Sequence, residues 1–154
     1  MRTVLLLLAT LFTVRAFAGE APVQTTVRFD GMYRTEKVLF PKPFIMKDGR
    51  VFDGFHEYLR FFADGTVLSS SRPEAREQPT DLSEIASWLS KENPAIPRSS
   101  YTVHDGVVTF TKVSNAGTVR WSGGSDGDGL SMDWHSEING KYGVYKFSFI
   151  TFTR

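Results

Sequence analysis

Across residues 130–149 apolar and polar side chains alternate with the two-residue period of a half-buried strand pair, and Asn139-Gly140 lies between the two halves. Asn-Gly is a strong hairpin signal, because both central residues of a type I′ turn need positive φ. A two-residue turn there predicts Trp134 opposite Tyr145, Met132 opposite Phe147 and Leu130 opposite Phe149 on one apolar face. The other face then pairs Asp133 with Lys146 and Ser131 with Ser148. A slip of one residue would destroy that sorting, so the register is well specified.

The same pattern recurs upstream. Residues 27–38 read as a first strand broken by Gly31, and residues 57–72 as a hairpin turning at Asp64-Gly65. That turn places Phe61 opposite Leu68 and Arg60 opposite Ser69, and leaves Phe62 and Val67 outside, an interruption of clean alternation. Residues 101–113 form a third hairpin about Asp105-Gly106, pairing Val103 with Val108 and Tyr101 with Phe110 inward, with Thr102 and Thr109 outward. A two- or four-residue connection near Asn115-Ala116-Gly117 sets Phe110 opposite Trp121 and Thr111 opposite Arg120; a three-residue one would need a bulge. Residues 123–129 read as the last loop before the 130–149 hairpin.

One segment changes period. Asp81-Leu-Ser-Glu84 has capping-box spacing, with Asp81 placed to accept from the Glu84 amide. Leu82, Ile85, Ala86 and Leu89 then share a helical face, and Asn93-Pro94 stops the run. A short helix over residues 81–92 is expected, packed on a wall or plugging one end. Residues 40–55 carry Phe40, Phe44, Ile45, Met46, Phe52 and Phe55 among two prolines and two glycines. Such a stretch either folds over the mouth of the core or packs as a short edge strand.

About eight short strands joined by tight turns, with one short helix, predict a mainly β fold: a closed antiparallel up-and-down barrel, since closure removes exposed edges. A two-sheet sandwich is the alternative. An eight-stranded barrel is just large enough to be filled by side chains or to hold one small ligand, and filling is what close packing favours.

Residues 1–18 stand apart as a signal peptide: Arg2, an apolar run over residues 3–14 too short to span a membrane, and Ala16-Phe17-Ala18 as a small-x-small cleavage site. The expected product is one exported domain over residues 19–154, periplasmic or secreted, monomeric and without a membrane span. Cleavage would remove two arginines, leaving 16 basic against 17 acidic side chains. That balance argues against nucleic acid or an anionic membrane as partner. The absence of cysteine removes disulfides, thiol mechanisms and Cys-based metal sites.

Candidate chemistry is sparse. His104, His135 and Asp133 fall on outward positions, and no third ligand for a metal is specified. Gly123-Gly-Ser-Asp-Gly-Asp-Gly129 has the composition of a calcium loop but only one copy, and a turn using Asp and Gly for positive φ accounts for it. No serine lies in a Gly-x-Ser-x-Gly elbow. No catalytic residue, metal or cofactor is therefore expected, and the chain reads as a non-enzyme.

Gly31-Met32-Tyr33, the segment Tyr58-Leu-Arg-Phe-Phe-Ala-Asp-Gly-Thr-Val67, and Tyr101 followed by Phe110 resemble a lipocalin-like barrel. The segment from Tyr58 is most similar to the barrel domain at the C-terminus of one group of F-box proteins, although no F-box is present. The resemblance implies a binding barrel without catalytic chemistry. The expected function is binding of a small apolar molecule in or at the mouth of the barrel, by Tyr33, Phe40, Phe44, Met46, Phe110, Trp121, Trp134 and Tyr145. The alternative is a protein partner engaged through residues 40–55.

Overall fold

The computed structural model describes residues 27–126 and 128–152; the expected signal segment and the lead-in after it lie outside the described residues. The elements run β1 (Gly31–Thr35), β2 (Val38–Ile45), β3 (Val51–Phe61), β4 (Thr66–Ala75), α1 (Leu82–Trp88), β5 (Arg98–His104), β6 (Val107–Ser114), β7 (Gly117–Asp126), β8 (Gly129–Ser136) and β9 (Tyr142–Thr151). Hydrogen bonding follows the order β1-β9-β8-β7-β6-β5-β4-β3, and β1 pairs with β3 to close an antiparallel ring of eight strands. Strand β2 lies outside that ring: it continues β1 past a break at Glu36-Lys37 and pairs only with the first half of β3.

Side chains secure the break. His56 contacts the Thr35 carbonyl through Nδ1 at 2.8 Å and Glu74 through Nε2 at 3.1 Å, and the Glu57 N–H donates to Thr35 Oγ1 at 3.0 Å. Lys37 bridges Asp53 at 2.6 Å and Glu74 at 3.6 Å. Backbone groups that leave the ladder thus find side-chain partners, as buried backbone requires.

The interior is one apolar cluster that includes Tyr33, Leu59, Phe61, Val67, Val108, Phe110, Leu130, Met132 and Phe147. A second cluster lies outside the ring, where Met32, Tyr58 and Leu68 on the strands meet Ile85, Leu89 and Ile96. Helix α1 therefore packs on the β3–β4 wall and leaves the barrel end unplugged. Asp81 caps it by accepting from Ser83 N–H at 2.8 Å, with the expected Glu84 amide a weaker contributor. The helix is shorter than the expected 81–92, ending at Trp88 with Leu89 as its C-cap, where Arg60 donates to the carbonyls of Ala86 and Leu89. A cation there also complements the helix dipole.

Two expected registers differ from the structure. In the β8–β9 hairpin Trp134 lies opposite Gly143, Met132 opposite Tyr145 and Leu130 opposite Phe147, a shift of two residues that leaves every side chain on its expected face. Asp133 faces Val144 and Ser131 faces Lys146, whose ammonium lies 3.4 Å from Asp126. The cause is a four-residue loop over residues 137–140: Ser136 N–H donates to Lys141 O at 2.8 Å and Gly140 N–H to Ser136 O at 2.9 Å. Only Gly140 of the Asn-Gly pair takes positive φ, +67°. The wider loop lets Glu137 N–H donate to Thr118 O and gives the Trp134 indole the space above Gly143, where a Cβ would come within 2.9 Å of Nε1. Gly143→Val should therefore displace that ring, seen as a red shift of tryptophan emission; an unshifted spectrum would contradict the seating.

In the β3–β4 hairpin Phe61 lies opposite Val67 and Arg60 opposite Leu68, one residue from expectation. The loop holds three residues, closed by Phe62 N–H donating to Thr66 O, with Gly65 at φ +83°. The uneven alternation there has a physical reason: both faces of this pair are covered, one by the barrel interior and one by α1.

The other connections follow the sequence pattern. Asp105 and Gly106 take φ of +48° and +77° and set Tyr101 opposite Phe110, and a two-residue turn sets Phe110 opposite Trp121 and Thr111 opposite Arg120. Strands β7 and β8 pair as far as Asp126 opposite Gly129, so all but the tip of the expected 123–129 loop is ladder. Residues 40–55 form the β2–β3 hairpin, the edge-strand alternative; they do not fold back over the mouth as a loop. Among the described residues no helix is long and apolar enough to cross a membrane.

Candidate ligand-binding cavity

Strand parity divides the barrel interior into two unlike ends. Near the β3–β4 turn, Tyr33, Phe61, Val67, Val108 and Leu130 are buried together in one packed cluster. Near the β2–β3 hairpin a cavity of about 290 Å³ remains, lined by Phe55, Glu57, Ser71, Lys112, Val119, Trp121, Trp134, Ser136, Ile138 and Tyr145 among others. The barrel is thus filled at one end and hollow at the other.

The hollow end has an aromatic wall. Trp121 stacks on Phe110 at 5.7 Å with 7° between planes, and Tyr145 lies 6.0 Å from Trp121 and 5.6 Å from Trp134. Beyond the rim the rings continue along the β2–β3 hairpin: Phe55 to Phe40 at 5.6 Å, Phe40 to Phe44 at 5.5 Å, and Phe44 stacked on Phe52 at 5.0 Å.

Set into this wall is a charged pair. Glu57, 3% exposed, takes a hydrogen bond from the Ser71 hydroxyl on one oxygen, while its other oxygen lies 3.5 Å from Lys112 Nζ. That distance makes an ion pair but no hydrogen bond. Burial pushes the Glu57 carboxyl above the usual carboxylate range, against the opposing pull of Lys112 and Ser71. Burial likewise raises the Tyr145 hydroxyl, with the Glu57 charge adding to the effect. Among the described residues, Glu57 Oε1, Trp121 Nε1 and Trp134 Nε1 are buried without a hydrogen-bond partner. All three are sealed within the barrel wall, each costly when left unpaired.

Of the eight residues expected to bind ligand, the structure brings Trp121, Trp134 and Tyr145 together around the cavity. Phe110 stands directly behind Trp121 in the core, and Phe40 touches the lining residue Phe55. Phe44 and Met46 lie farther out on the hairpin, both exposed. Tyr33 is in the filled end, 2% exposed, its hydroxyl accepting from Arg28 N–H at 2.9 Å. Sequence reasoning missed Glu57, Lys112, Ser71 and Ser136. The signal was available in parity: Glu57 shares the face of Leu59 and Phe61, and Lys112 that of Phe110, so both charges fall on inward positions.

A larger concavity of about 1070 Å³ lies on the outer face of β5–β9, with Thr109, Thr111, Arg120, Asp133 and His135 around it. These side chains are solvated, and Arg120 is already paired with Glu137 at 2.7 Å. Among the described residues no group of three His, Asp or Glu side chains converges as a metal site would require. The smaller cavity lies inside the barrel, walled by Trp121, Trp134, Tyr145 and Phe55, and it is the candidate site.

No family model matches the chain, and no curated protein or solved structure matches it either. What stands is the architecture: a closed antiparallel barrel of eight strands with one short helix, consistent with a calycin-type fold. No homology supports the finer resemblance to lipocalins or to the barrel of F-box proteins.

Proposed function

We propose that this protein is an exported, non-catalytic binding protein that holds one small molecule with an apolar body at the hollow end of the barrel. The observation that carries this reading is the cavity of about 290 Å³ walled by Trp121, Trp134, Tyr145 and Phe55. It is close to the lower bound of roughly 300 Å³ for small-molecule sites, and equals about ten water volumes at ~30 Å³ each. Sequence features of residues 1–18 support export. Native mass spectrometry of the purified protein should show a co-purifying mass of a few hundred daltons or less, and small aromatic probes should change tryptophan emission saturably. Emission that stays linear with every probe would refute the reading.

The β2–β3 hairpin favours a second reading, a protein-interaction role. Leu39 and Ile45 are 69% and 71% exposed, and Met46 stands exposed at the turn, an apolar projection that single scattered residues do not make. On this reading Ile45→Asp abolishes capture of the partner and leaves probe binding intact.

A further inference from the structure

Independently of the cavity, we propose that the β2–β3 hairpin is an interfacial anchor and that its partner is an anionic phospholipid bilayer. Its outer half stands clear of the barrel. Strand β3 pairs with β4 no farther than Phe52 opposite Ala75, Arg76 N–H reaches Val51 O at 2.8 Å, and residues 41–50 are all exposed. The turn holds itself, with Met46 N–H donating to Arg50 O at 2.9 Å and Gly49 N–H to Met46 O at 3.0 Å. Apolar side chains cover both faces. Phe40, Phe44, Phe52 and Phe55 form one connected row of rings. Leu39 and Ile45, each next to one of those rings in sequence, point the other way, and Met46 stands at the turn. A flat protein surface would cover one side of such a hairpin; a tip that is apolar all round is matched by a medium that surrounds it.

Strand edge and charge narrow the partner further. Strand β2 is outermost in the sheet, and Pro41 and Pro43 take two donors out of it, so it is a poor template for a further strand. Over residues 38–52 the charged groups are Lys42, Lys47 and Arg50 against Asp48, which binds Arg50 at 2.7 Å. The next acid, Asp53, is held by Lys37 at 2.6 Å and Arg76 at 3.1 Å. Lys42 and Lys47 are exposed and have no ion-pair partner among the described residues. The near-neutral balance of the whole chain argues against an anionic surface, but the structure gathers unpaired cations beside an exposed apolar tip. Lysine stems let the ammonium groups stay among headgroup phosphates while the apolar side chains enter the acyl boundary.

The test is flotation of the purified protein with vesicles of phosphatidylcholine alone and of phosphatidylcholine mixed with phosphatidylglycerol. The mixed vesicles should bind it more tightly, and raising salt from about 0.1 to about 1 M should weaken that preference. Ile45→Asp should weaken binding at least about tenfold, the scale of burying one isoleucine. Lys42→Gln and Lys47→Gln should each cost about fivefold on mixed vesicles and little on neutral ones. Ile45→Trp, read against the wild type, should add an emission component that shifts to the blue when mixed vesicles are present. None of these side chains lines the cavity, so saturable binding of small aromatic probes should survive in every variant, which separates this proposal from the cavity reading. No flotation of the wild type, equal recovery on both vesicles, or wild-type recovery of Ile45→Asp would overturn it. Absent flotation together with Ile45-dependent capture of a protein would overturn it as well and assign the hairpin to that partner.

Discussion

Phe61→Ala should cost about 3–5 kcal/mol of stability, the usual loss for truncating a fully buried phenylalanine. Phe61 is 0% exposed and centres the filled end of the barrel. Its ring meets Tyr101 at 5.0 Å, Tyr33 at 5.8 Å and Phe110 at 6.2 Å, each nearly perpendicular. Such edge-to-face pairs add about 0.5–1.5 kcal/mol each beyond burial, and rings held from three strands cannot collapse into the space left behind. A urea titration should show the midpoint lowered by more than about 1 M, with m of ~1–3 kcal/mol/M. A loss below about 1.5 kcal/mol would mean that this end relaxes freely, as a loosely packed core does.

Gly31→Ala should open the seam of the barrel. Strand β1 pairs with β9 from Gly31 opposite Thr151 to Thr35 opposite Phe147, and with β3 at Tyr33 and Arg34. A Cβ on Gly31 would lie 2.0 Å from the Ile150 carbonyl oxygen, 2.7 Å from Phe149 Cζ and 2.9 Å from the Ile150 carbonyl carbon. Two of those atoms are backbone and cannot swing aside, so β9 must withdraw from β1. The expected cost is at least the ~1–3 kcal/mol of core overpacking. Hydrogen exchange locates it: amides of β1 and β9 should lose protection while those of β5, β6 and β7 keep theirs. Uniform protection, equal to that of the wild type, would show that the seam tolerates the methyl group.

What the sequence disclosed depended on whether one local rule had sole charge of a position. Asp105 is exposed and the two strands it joins keep a solvated outer face, so the turn's demand for positive φ at both residues settled the register there. Asn139-Gly140 carries the same signal, but Ile138 packs against Gly117 and Trp134 needs the space above Gly143, and these contacts widen the loop. Tyr58 falls on a face that alternation assigns to solvent, and Leu68, expected inward, joins it there while Val67 turns in; α1 covers that face, and no local pattern announces such a neighbour. The aromatic wall of the site was legible as inward parity at Trp121, Trp134 and Tyr145. Glu57 and Lys112 stood at equally inward positions and were passed over, since charge is normally read as a mark of the surface. An acidic and a basic residue at inward parity on non-adjacent strands is a pattern worth seeking in other barrels.

The seam between β1 and β9 also bears on how the chain reaches this state. Each of the other ring contacts joins strands near one another in sequence, whereas Gly31 and Thr151 meet only after the whole barrel has been laid out. Closure thus makes the longest-range contact in the topology, and its loop-closure entropy must be met before pairing rewards it. During vectorial synthesis or translocation, β1 has β3 as a neighbour early, but its other edge waits for the last strand. A chain without β9 leaves that edge of β1 unpaired and the apolar inner face open, surface of the kind that promotes aggregation. Truncation within β9 should strand molecules at that stage, even though most of the core residues would be present.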